Sequence, residues 1–276
     1  MVKRKKRQLK QAVLLSCMFF GASPYAGAID VWDLSGSDGS SGTDNELMHG
    51  SDQVHDLQHN TGIADQDWFL LSQAPYSSYE VVVDGVTEEV ASIPVTQVDD
   101  ALRLDVVDSV GTTLQSGLGI STIGASRTLR IRNTTGSEVN NRYIRVQSAV
   151  DGCTTTCTAN AQYRIRMRET TLMIPRFNNS GSQITVLIMQ NGSRSAVNGT
   201  VRFWSTGGVL LASQVFAMPS RGGLVLSTAT VPGAGGASGV MTVDHDGRYG
   251  EVTGKAVALE PATGFSFDTP AVPRFF

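Results

Sequence analysis

Alternation of apolar and polar side chains with a period of two dominates this chain. In Leu102-Arg103-Leu104-Asp105-Val106, Leu129-Arg130-Ile131-Arg132 and Tyr163-Arg164-Ile165-Arg166-Met167-Arg168, every second residue is apolar and those between are charged. Successive side chains of a strand point to opposite faces, so these segments predict half-buried antiparallel strands. Tyr79-Glu80-Val81-Val82-Val83 is a β-branched run behind the turn-forming Ala74-Pro75-Tyr76-Ser77. The pattern breaks near Glu169-Thr170-Thr171, ahead of Pro175, and then restarts. Residues 184–189 run into the turn Gln190-Asn191-Gly192-Ser193, and apolar runs at 201–204, 209–211, 224–226, 239–243 and 256–259 complete the series. No long segment of period 3.6 interrupts them. Short strands at regular spacing predict an all-β protein of sandwich type. The break divides it into two β-sandwich domains, about residues 44–169 and 170–276, the second ending in an extended tail.

The first residues follow another logic. Lys3 to Lys10 hold six basic side chains, residues 12–22 are mostly apolar, and small residues stand at Ala26 and Ala28. A charged leader, a short apolar core and an A-x-A ending predict a signal peptide, residues 1–28, cleaved after Ala28. Leu14-Leu15-Ser16-Cys17 loosely resembles a lipobox, which is the rival reading. The apolar stretch is too short for a permanent membrane span. The Gly/Ser/Asp-rich residues 29–43 read as a flexible linker. Export fits the cysteines, since only Cys153 and Cys157 remain beyond the leader. They predict a small disulfide-closed loop; a metal site would need two further soft ligands.

The whole chain has a formal charge of −3, but the leader holds six of its 22 basic residues against 25 acidic ones elsewhere. Lys255 is the one lysine beyond the leader. That balance excludes a general nucleic-acid binder, which needs a net basic face. Charge is also uneven: residues 29–110 hold 17 acidic side chains and one basic, Arg103, whereas residues 111–169 hold eight arginines and three acids. One consequence is pairing of acidic and basic strands. A second reading is a basic face of Arg130, Arg132, Arg164 and Arg166, with Arg145, for an anionic glycan or surface.

Catalytic signatures are weak. His49, His55 and His59 cluster in sequence, but Asp56 follows His55 where the zinc-protease pattern has Glu, and no helix is evident. There is no G-x-S-x-G elbow, and nothing singles out a carboxylate pair. Asp65-Gln66-Asp67-Trp68-Phe69 is more informative. Its carboxylates have two readings: caps for a turn, or hard oxygen ligands for calcium, with Asp44, Glu46 or Asp99 as further donors.

Taken in order, Asn45-Glu46-Leu47 with Gly50, then DQDWF, YEVVV, VVDSVGTTL, NRYIRVQS and QYRIRMR resemble the bacterial pre-peptidase C-terminal (PPC) domain. The resemblance covers about residues 44–169. It implies a jelly-roll-like β-sandwich that is non-catalytic and is appended to exported enzymes. Some members bind calcium, which would place a structural calcium ion at Asp65 and Asp67. The second half is similar at fold level to immunoglobulin-like or fibronectin-like sandwiches. The expectation is an exported, non-enzymatic protein that binds a polysaccharide, cell-surface component or protein, or assists an exported enzyme. The alternative is a secreted hydrolase with a metal- or carboxylate-based site.

Overall fold

A computed structural model describes residues 38–57, 65–85, 102–117, 126–148 and 162–274. The leader of residues 1–28, His59, Asp99, Cys153 and Cys157 lie outside the described residues. The described residues are almost entirely β. The first half carries β1 (Asp52–Asp56), β2 (Gln66–Gln73), β3 (Ser77–Gly85), β4 (Leu102–Val107), β5 (Thr113–Ser116), β6 (Arg127–Asn133), β7 (Val139–Ser148) and β8 (Gln162–Glu169). The second carries β9 (Leu172–Asn178), β10 (Ile184–Asn191), β11 (Val197–Ser205), β12 (Leu210–Met218), β13 (Gly223–Ser227), β14 (Ser238–His245), β15 (Val252–Glu260), β16 (Phe265–Pro270) and β17 (Val272–Pro273). Four antiparallel sheets result, with orders β1-β8-β3-β6, β2-β7-β4-β5, β13-β10-β15-β16 and β12-β11-β14-β9-β17.

The alternation decides what each sheet buries. Val81 and Val83 of β3, Leu129 and Ile131 of β6, and Tyr163, Ile165 and Met167 of β8 meet Phe69 and Leu71 of β2, Leu104 of β4, and Ile144 and Val146 of β7 in one core. A second core joins Ile174 and Phe177 of β9, Val201 and Phe203 of β11, and Met241 and Val243 of β14 to Leu187 of β10 and Ala256 of β15. The edge-on contact of Phe177 and Phe203, at 5.3 Å between centroids, sits in this second core.

Two local devices explain features that period two does not predict. Pro175 lies inside β9. Gly239 pairs with Phe177 and Met241 with Ile174, so two residues of β9 oppose Val240 alone. Such a bulge takes proline because the ladder demands no donor there. In Asp108-Ser109-Val110-Gly111-Thr112, Oδ1 of Asp108 accepts from the Val110 amide at 3.0 Å and the Thr112 amide at 2.8 Å. These bonds hold the Asp108 carboxyl below its ordinary value. Gly111 takes φ +86° at the end of this turn, close against the Trp68 ring.

The residues read as linker are not all loose. Asp38 is 1% exposed, and its carbonyl accepts from the Trp68 amide at 2.7 Å. From Asp38 the segment therefore packs with the first half. Its Gly, Ser and Asp make turns here rather than a free tether.

The halves meet where β8 passes through Thr170 and Thr171 into β9. Ser78 is central: its amide donates to Thr171 Oγ1 at 2.9 Å, and its Oγ accepts from Thr170 Oγ1 at 2.8 Å and the His245 amide at 3.2 Å. Arg132 of β6 crosses to Asp244 of β14, where Arg202 of β11 also binds. The Tyr76 ring lies under the Arg202 guanidinium at 4.2 Å and beside Trp204 at 5.7 Å. The tail then pairs β17 with β9, and Arg274 donates to Glu169 at 2.9 Å.

Candidate functional site

The register of β3 sets out the arginines. Ser78 stands beside Arg132, Glu80 between Arg130 and Arg168, Val82 between Thr128 and Arg166, and Asp84 opposite Arg164. Ser78, Glu80, Val82 and Asp84 share one face, so Arg130, Arg132, Arg164 and Arg166 all lie on that outer face of sheet β1-β8-β3-β6. Arg145 belongs to the other sheet, where it meets Asp105 at 3.3 Å and covers Trp68. The four arginines have different surroundings. Arg132 enters the junction. Arg130 donates to the Asp246 carbonyl at 3.2 Å. Arg166 pairs with Asp84, and Arg164 lies 3.5 Å from Asp52 in an exposed pair.

Between them is an open groove of about 310 Å³, lined by Glu80, Asp84, Ser126, Thr128, Arg130 and Arg166 around Val82. The second half contributes Arg248 to its wall. Glu80 is held in place by the Tyr249 amide, which donates to its Oε2 at 2.9 Å. Sequence periodicity could place the arginines of β6 and β8 on one face. It carried no signal for Arg248, which sits in a turn and arrives only through the docking of the halves.

The histidines close in sequence are far apart in role. His49 Nδ1 accepts from the Glu169 amide at 3.0 Å, and its ring meets Tyr249 edge-on. Burial and the nearby Arg168 charge hold His49 below its ordinary value. Glu169 is raised by burial, a shift opposed by Arg274. His55 lies instead in the first core, stacked on Tyr163 and edge-on to Phe69.

Around His55 is a buried polar cluster. Ligand atoms of Asp38, His55 and Asp67 all lie within 4.8 Å of one another, and the three residues are 1%, 1% and 0% exposed. Tyr163 donates to Oδ2 of Asp67. Asp67, expected as a cation ligand, is thus one of three buried side chains whose ligand atoms lie close together. Asp65 is not in that grouping, and Asp44 and Glu46 are exposed. Asp38 was hidden from sequence reasoning because a Gly/Ser-rich stretch has no periodicity to place it. The donor set does not fit calcium, which takes six to eight oxygen ligands and no imidazole.

No family model and no curated protein matches this chain. Among solved structures it is similar over 80% of its length to a calcium-binding mutant of Bacteroides uniformis β-glucuronidase 2, at 9% identity and a TM-score of 0.19. It is similar over 76% to a Bacteroides uniformis β-glucuronidase, at 9% identity and a TM-score of 0.16. The chain spans 28% and 26% of those two proteins. Likeness at this level carries no argument about the chemistry of the groove or of the buried cluster.

Proposed function

We propose that this is an exported, non-catalytic binding protein whose outer arginine-bearing groove takes an anionic glycan. The observation that carries the reading is convergence: Arg130 and Arg166 of the first half and Arg248 of the second line one open groove with Ser126 and Thr128. Guanidinium groups bind carboxylates with paired donors, and hydroxyls complete the polar lining that a sugar needs.

The carboxylates of the groove favour binding over hydrolysis. Glu80 and Asp84 project from one face of the same strand, whereas a glycosidase pair flanks the bond it cleaves. Each carboxylate is also occupied, Glu80 by the Tyr249 amide and Asp84 by Ser126 and Arg166. Export rests on the leader sequence, and no helix among the described residues is long and apolar enough to cross a membrane.

The test is affinity electrophoresis of the purified protein through gels containing polygalacturonate, alginate or neutral dextran. The same polymers are assayed for new reducing ends. Retardation by the acidic polymers alone, without new ends, is expected. Turnover of any of them would replace this reading with the hydrolase alternative.

A further inference from the structure

We infer that the outer face of sheet β13-β10-β15-β16 docks a second copy of this chain, making a two-fold dimer through the second half. The strand register defines that face. Ile188 stands between Val225 and Lys255, Val186 between Ser227 and Val257, and Ile184 beside Leu259. Residues paired directly across a ladder share a face. Ile184, Val186, Ile188, Val225, Val257 and Leu259 therefore form one aliphatic patch. The residues alternating with them, Thr185, Leu187, Met189, Ala256 and Ala258, are buried on the opposite face.

Apart from Thr185, residues 184–189 of β10 are apolar on both faces. Continuous apolar runs belong to strands that are covered on both sides. Here the outer side is open among the described residues: Val225 is 73% exposed and Leu259 38%. The outer face of sheet β1-β8-β3-β6 carries Glu80, Asp84 and the arginines instead.

Charge, chemistry and area select a second copy as the occupant. The charged side chains of the patch are Lys255 and Asp268, which pair with each other at 2.5 Å, so the face has no net charge to offer an ionic ligand. Its outward positions carry no aromatic ring to stack on a sugar and no cluster of cations for a lipid headgroup. A two-fold contact must be complementary to itself, and Lys255 of each copy can sit against Asp268 of the other. The four strands average seven residues. At about 3.4 Å per residue and about 4.8 Å between strands, each copy offers a flat footprint of ~450 Å². Two copies cover ~900 Å² before side-chain relief is added, at the threshold of about 1,000 Å² for a specific interface. The dimer is therefore weak, with a dissociation constant on the order of micromolar. Glycan binding is a separate matter, since the arginines of the first half line that groove.

The experiment is sedimentation velocity of the purified protein from ~1 to ~100 µM, which brackets that affinity. A monomer–dimer equilibrium is expected. Val257→Thr keeps the β-branched shape but removes apolar surface at the centre of the patch. It should raise the dissociation constant by about tenfold, because two-fold symmetry repeats the change on both sides. Lys255→Glu leaves two acids side by side, and Asp268→Lys leaves two lysines. Each charge variant alone should lose about tenfold in self-association, whereas their equimolar mixture should regain it, since opposite charges then meet across the interface. Thermal melts establish that every variant is folded. A wild type that stays monomeric throughout, Val257→Thr associating as tightly as the wild type, or a mixture no tighter than its parts would overturn the inference. A monomer that instead pellets with phosphatidylcholine vesicles would give the face to a membrane and overturn it as well.

Discussion

Asp244→Ala should destabilise the protein by about 3–5 kcal/mol, the range for removing one partner of a buried ion pair. Asp244 is fully buried and receives two arginines: Arg202 from its own sheet, with a side chain 5% exposed, and Arg132 from the first half, 23% exposed. Truncation leaves both guanidiniums without their carboxylate. Arg132 can turn toward water, but Arg202 is buried and stacked on the Tyr76 ring and cannot. The larger share of the loss therefore belongs to Arg202. Equilibrium urea unfolding, read by tryptophan fluorescence from Trp204 beside the network, measures the change. A double-mutant cycle with Arg202→Met and another with Arg132→Met should give the greater coupling for Arg202. Replacing all three by apolar residues of similar size should recover much of the loss, because the network also carries a desolvation cost. A loss below about 1 kcal/mol for Asp244→Ala would refute the claim that this carboxylate holds the junction, since surface pairs are worth that little.

Other predictions follow from single residues. His245 is pushed down to about 4 by burial, so the folded state takes up its proton less readily than the unfolded one. Its contribution, about 3 kcal/mol, should be intact above pH 6.5 and lost as pH falls from 6.5 toward 4. Urea midpoints measured across that range in the wild type and in His245→Gln should differ in slope, and parallel curves would reject this. Raised Glu169 acts in the opposite sense, favouring the folded state at low pH, and offsets part of the slope. Arg274→Ala should raise Glu169 further, because the guanidinium is what opposes its burial; a carboxyl titration by NMR checks the direction. Gly239→Ala should cost about 3 kcal/mol or prevent folding, as a Cβ there would stand 1.8 Å from the Trp204 carbonyl oxygen; an unchanged thermal melt would contradict it.

What could be read from sequence was whatever has a period. Leu102 to Val106, Leu129 to Ile131 and Tyr163 to Met167 alternate, and β4, β6 and β8 stand there with those residues buried. The all-β sandwich architecture follows from them. Harder to read was β9, because Pro175 argues against a strand unless a bulge frees the ladder of its donor. β1 was masked by its histidine and aspartates: Asp52-Gln53-Val54-His55-Asp56 has no apolar alternation, yet His55 fills an aromatic slot beside Phe69. Sites fared worse than strands. Arg130, Arg132, Arg164 and Arg166 share the expected face, but which of them stays available depends on Asp244, Asp246, Asp84 and Asp52, contacts that arise only on folding. Asp38 and Arg248 had no local signal, since each reaches its site through tertiary packing of an irregular segment.

The central claim is that the groove shared by the two halves binds an anionic glycan through its arginines. Isothermal titration with a short oligogalacturonate, at low and at physiological salt, tests it most directly. The wild type should bind, more weakly at higher salt, because exposed charges are screened. Arg166→Ala and Arg248→Glu should each lose binding while keeping the melting temperature, since both side chains lie at the rim of the groove rather than in a core. Equal binding by wild type and both variants, or binding that prefers a neutral oligosaccharide, would contradict the account.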